Sequence, residues 1–155
     1  MFHPDVTFLR AAFDAAQRAR AKGNHPFGAI LVDAHGEILL EAENAVVTDC
    51  DSTAHAELNL MRAASAAYDP DMLAHCTIYT STEPCPMCAG AIFWTNVRRV
   101  VFGLSEKGLY EIVGEATEEV LRLPCKTLFD HGMKSIDVLG PLLEDEARAV
   151  HAGFW

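Results

Sequence analysis

Two short segments, His55-Ala56-Glu57 and Pro84-Cys85-Pro86-Met87-Cys88, narrow what this chain can be more than anything else in it. Each falls at the predicted start of a helix, directly after irregular chain. Two thiols on one first helical turn can face a single point, and the positive helix end favours thiolate over thiol. His55 would complete a set of two sulfurs and one nitrogen. That set suits tetrahedral zinc with a fourth position left for water. Taken singly, the parts have other uses. An isolated His-x-Glu carries little information, and a Cys-x-x-Cys at a helix start also serves as a redox pair. A structural zinc site would need a fourth protein ligand, and the sequence has no second Cys-x-x-Cys. Of the other cysteines, Cys76 reads as strand core, and Cys50 and Cys125 as incidental thiols.

Around these segments the hydrophobic pattern alternates between the two regular periods. Phe8, Leu9, Ala12, Phe13 and Ala16 form a helical stripe within 5–22, closed by Gly23-Asn24. Strands are expected at 28–33 and 38–43, joined as a hairpin through Ala34-His35-Gly36. A helix follows at 54–68, stopped by Asp69-Pro70, then a buried strand at 77–81. A further helix at 86–94 carries its proline at the start, where the missing N–H costs nothing. Strands at 99–103 and 135–139 and a last helix at 142–154 complete the chain, with 105–121 read as loop and helix. Such alternation gives an α/β domain with a mixed five-stranded sheet. The 155 residues fit one domain spanning 1–155.

The formal net charge of -10 argues against general affinity for nucleic acid, which rests on Lys and Arg neutralising phosphates. A small neutral substrate fits better. No apolar run approaches the roughly 20 residues that span a bilayer. The first residues lack a signal-peptide pattern, so the expected location is the cytoplasm, without a membrane partner.

The combination of His-x-Glu with Pro-Cys-x-x-Cys resembles the cytidine-deaminase-like superfamily, in the branch holding nucleobase deaminases and tRNA adenosine deaminases. The resemblance runs from Pro26-Phe27-Gly28-Ala29 through both segments to Arg99-Val100-Val101-Phe102-Gly103. It implies a three-layer α-β-α fold, one catalytic zinc on His55, Cys85 and Cys88, and a homodimer. It makes Glu57 the proton carrier between water, substrate ring and leaving amine; a first-turn acid complementing its helix is the plainer role. It also places Asn44, Phe27 and Ala56 against the substrate. A turn residue and a core aromatic are the alternatives for the first two, and His25 is a further candidate for the wall.

Guanine is the expected substrate. Trp94, six residues after Cys88, matches a tryptophan of bacterial guanine deaminases and would offer a stacking face. The sequence ends His151-Ala152-Gly153-Phe154-Trp155, whose aromatics would cover a base or else anchor the segment to the core or to another subunit. A carboxylate among Glu106, Glu111 and Glu115 would read guanine's edge. Cytosine, a nucleoside, a triazine analogue and tRNA adenosine are the competing substrates, and a catalytically silent zinc protein the non-enzyme alternative.

Overall fold

The computed structural model describes residues 2–155. Asp5 caps the first helix, α1 (Val6–Ala21), its carboxylate accepting from the Thr7 N–H at 2.9 Å. The face of α1 turned inward is mostly alanine, so the helix lies close on strand β1 (Gly28–Val32). A Cβ on Gly28 would fall 2.6 Å from both the Ala12 carbonyl oxygen and Ala15 Cβ, and would also press on Ala16 N. Gly28→Ala should therefore cost about 1–3 kcal/mol of stability. The expected reading is a lower urea midpoint at constant m-value; an unchanged midpoint would contradict this seating of α1.

The remaining strands are β2 (Ile38–Glu43), β3 (Thr77–Thr82), β4 (Arg99–Leu104) and β5 (Asp137–Leu139). They form one sheet in the order β2-β1-β3-β4-β5. β1 is antiparallel to both its neighbours, while β3, β4 and β5 run parallel. Side chains alternate between two cores. Ala29, Leu31, Ile78, Val100 and Phe102 pack under Leu60 and Met61 of α2 (Ala56–Ala67) and Ile92 of α4 (Pro86–Thr95). Ile30, Val32, Tyr79, Val101 and Leu104 pack against Leu9 and Phe13 of α1 and Ala147 of α7 (Glu144–Ala149). The expected three-layer fold with a mixed five-stranded sheet is what forms.

Four stretches refine or depart from expectation. Asp69 does more than stop α2: it caps a short helix, α3 (Pro70–Leu73), accepting from Met72 N at 2.9 Å. The ambiguous 105–121 region resolves into α5 (Glu106–Val113), capped by Ser105, followed by loop. An unanticipated helix, α6 (Cys125–Asp130), begins where Glu83 Oε2 accepts from Cys125 N at 3.0 Å. The last helix is shorter than expected, and 150–155 continues as turns with Gly153 at φ +71. No helix among the described residues is long and apolar enough to cross a membrane.

Candidate active site

β3 leads through Glu83-Pro84 into Cys85, the N-cap of α4, and His55 is the N-cap of α2. Neither cap residue spends its side chain on its own helix. Both turn to a shared point instead. His55 Nδ1 lies 3.5 Å from Cys85 Sγ and 3.6 Å from Cys88 Sγ. A tetrahedral zinc with ordinary Zn–N and Zn–S bonds implies N···S edges of about 3.6 Å, so the donors stand as that ion requires. Among the described residues this is the one group of His, Cys and carboxylate ligand atoms gathered within 4.8 Å of one another. The Cys85 thiol is lowered to about 4, first by the hydrogen bond from Cys88 and then by His55, while Cys88 is raised by the same bond and by burial. Metal binding takes both sulfurs as thiolates, so loading the site releases protons and depends on pH.

Glu57, on the first turn of α2, is 5% exposed. Its Oε1 accepts from the Thr80 hydroxyl at 2.9 Å. Burial, and then the negative Cys85, raise its carboxyl above the ordinary range. A carboxyl shifted toward neutrality and fixed in rotation is suited to carrying protons. Thr80 was not among the expected residues. The Thr80-Ser81-Thr82 end of a buried strand is the signal for it, since buried hydroxyls need partners inside.

Asn44 is buried just after β2. Its Oδ1 accepts from Val46 N at 3.1 Å, which fixes the amide's orientation, because a backbone N–H can donate only to the oxygen. Among the described residues its Nδ2 has no partner, so the amide offers a donor. Asn44 N donates to Phe27 O at 3.0 Å, and Ala45 N to Ala54 O at 2.9 Å, tying this turn to the approach to His55. Ala56 is fully buried as the first residue of α2 and packs in the core beneath the cluster.

An aromatic group gathers beside these residues. Burial, and then the nearby His55, lower the pKa of His25. Its ring is 5.6 Å from Trp155 and 6.2 Å from Phe154, and Phe27 stands 6.4 Å from Trp155. Trp94 does not join them. It is 80% exposed, edge-on to Phe93 with the Lys134 ammonium nearby. Six residues along a helix turn by roughly 600°, so Trp94 projects far from the Cys88 direction, and the expected stacking face lies on the outer surface of its own chain. Of the three candidate carboxylates, Glu111 is held by Arg148 at 3.0 Å and Glu115 lies 3.9 Å from Arg122. Glu106 differs: burial and then Glu83 raise its carboxyl, against the pull of Arg122, with a smaller contribution from Cys85. Glu83 sets the position of Glu106, its Oε1 accepting from Glu106 N at 2.9 Å.

Comparison with known proteins agrees with this geometry. The model for the cytidine and deoxycytidylate deaminase zinc-binding region matches residues 3–104. A probable cytosine deaminase of Schizosaccharomyces pombe is 41% identical over 152 residues, covering 97% of this chain and 92% of that one. A tRNA-specific adenosine deaminase of Bacillus subtilis is 33% identical over 151 residues, covering 97% and 88%. A solved guanine deaminase from Nitrosomonas europaea superposes with a TM-score of 0.79 at 25% identity, over 97% of this chain and 84% of that one.

Proposed function

Because the chain belongs to the cytidine and deoxycytidylate deaminase family of zinc-dependent hydrolases, we propose that it deaminates a free nucleobase, cytosine in preference to guanine. The observation that carries the preference is Asn44, whose Oδ1 is engaged by Val46 N while its Nδ2 is left as a free donor. In cytosine the amino-bearing carbon is followed by an unprotonated ring nitrogen and then by a carbonyl. A proton carrier facing the nitrogen and a donor facing the carbonyl fit that order. In guanine the corresponding nitrogen is followed by the ring-fusion carbon, and the carbonyl lies beyond an N–H on the other side.

Zinc held by His55, Cys85 and Cys88 would supply the Lewis acidity that makes a water reactive near neutral pH. Glu57 takes a proton from the attacking water while the water's oxygen adds to the amino-bearing carbon. Glu57 then delivers that proton to the neighbouring ring nitrogen. The second water proton passes to the amino group, the C–N bond breaks, and ammonia leaves. Thr80 keeps the Glu57 carboxylate oriented for both transfers. Asn44 Nδ2 donates to the carbonyl, and Phe27, His25 and Trp155 wall the ring, with stacking worth about 1–3 kcal/mol per aromatic contact.

Glu106 supports guanine as the second reading, since a carboxylate there would accept from guanine's N1–H and amino group. Trp94 no longer adds to that case. In the homodimer that accompanies this reading, exposed Trp94 and Met133 are apolar surface that a second copy would cover. Ammonia release measured across free bases, their nucleosides and an anticodon stem-loop tests the assignment. Cytosine should exceed guanine in kcat/KM by roughly ten-fold, the worth of about one well-made hydrogen bond. Guanine ahead of cytosine would move the assignment to the Glu106 reading. Conversion of stem-loop adenosine without activity on any free base would overturn both.

A further inference from the structure

His151 is a buried imidazole that the chemistry above does not use. It is 2% exposed, and its Nδ1 accepts from the Trp155 indole N–H at 3.0 Å. An indole nitrogen can only donate, so the ring is neutral with its hydrogen on Nε2. That Nε2 is buried without a hydrogen-bond partner. The two ring planes are nearly parallel, 15° apart, and Phe27 meets the imidazole with ring centres 5.5 Å apart. Burial, with Arg20 nearby, holds the imidazole's pKa down to about 4, so it remains an acceptor at neutral pH. Arg20 ties down the same segment by donating to Val150 O at 2.9 Å and lying 5.5 Å from the Phe154 ring centre.

A side chain that served only to fill this space would be better apolar, because a buried N–H without an acceptor destabilises the fold. What the imidazole provides, and no apolar residue would, is an acceptor for Trp155. We propose that His151 is a positioning residue that holds Trp155 by its indole N–H and so fixes the indole face beside Phe27 and His25 at the mouth of the site. The bond also commits the indole N–H, so Trp155 meets a ligand through its ring face and not as a donor. The catalytic consequence rests on the reading of Trp155 as part of the substrate wall; the bond to His151 does not.

The chain has two tryptophans, so its indole N–H signals are two, and Trp94→Phe assigns them. In the wild type the Trp155 indole hydrogen should exchange with solvent well behind that of exposed Trp94. In His151→Leu it should exchange as fast as Trp94's. In His151→Gln, whose side-chain carbonyl restores an acceptor, it should slow again. His151→Leu should melt no lower than wild type, while KM for the base rises roughly three- to ten-fold, the worth of one hydrogen bond, and kcat moves little; His151→Gln should recover KM. The proposal is overturned if the wild-type Trp155 hydrogen already exchanges as fast as Trp94's, or stays protected in His151→Leu. If the hydrogen is freed in His151→Leu but KM does not move, the hold on Trp155 stands and its role as substrate wall falls.

Discussion

Glu57→Gln is expected to leave the fold and the bound metal intact and to reduce kcat by at least about 10²–10⁴-fold, the usual worth of general acid–base catalysis. Glutamine keeps the shape, and its Oε1 can still accept from Thr80, so the first turn of α2 should not rearrange. It cannot pick up and return a proton. Since Glu57 is asked to serve two successive transfers, the loss should sit at the upper end of that range. Stability should not fall, because the carboxylate is 5% exposed and an ionised group is costly there, whereas an amide is less so. The measurement is steady-state kinetics beside metal content and thermal midpoint. Retention of more than a tenth of the wild-type rate, with metal content unchanged, would remove Glu57 from the chemistry.

The metal ligands and the fold were legible because each is written in a local pattern. His55 and the Cys85–Cys88 pair announce themselves by residue type at helix starts, and the strands by fully buried runs such as Gly28–Val32. What was missed is held by contacts between distant parts of the chain. α6 starts where Glu83 reaches Cys125 across 42 positions, and no window of sequence contains both. His151 could not be told from an incidental histidine until Trp155 was seen bonded to it. Trp94 lies outside the cluster for a reason of a different kind. Its distance from Cys88 along the helix already sets it roughly 120° around the axis from that ligand, so helical geometry turns it away from the metal. Of the carboxylates that would read guanine's edge, Glu111 and Glu115 are paired at the surface, and Glu106 alone stays available for that reading.

Cys88→Ala should lose the metal and, with it, all measurable turnover. Cys88 is fully buried under the cluster, so no exposed side chain can swing in to replace its sulfur. Among the described residues no further His, Cys or carboxylate joins the group to serve as a substitute ligand. His55 and Cys85 alone would leave two donors, too few for the tight tetrahedral site that catalytic zinc occupies. Stability should fall as well, because a ligand bound only by the folded state adds RT ln(1 + [L]/Kd), about 4 kcal/mol when the free metal stands at a thousand times its Kd. Removing the metal from the wild type with a chelator should lower its melting temperature in the same way, and adding zinc back should restore it. The same chelator should leave Cys88→Ala where it was. Metal analysis of the two proteins, with melting measured before and after chelation, decides the point. One zinc per chain retained in Cys88→Ala, or a wild-type melting temperature indifferent to the chelator, would mean that the ion is held somewhere other than at His55, Cys85 and Cys88.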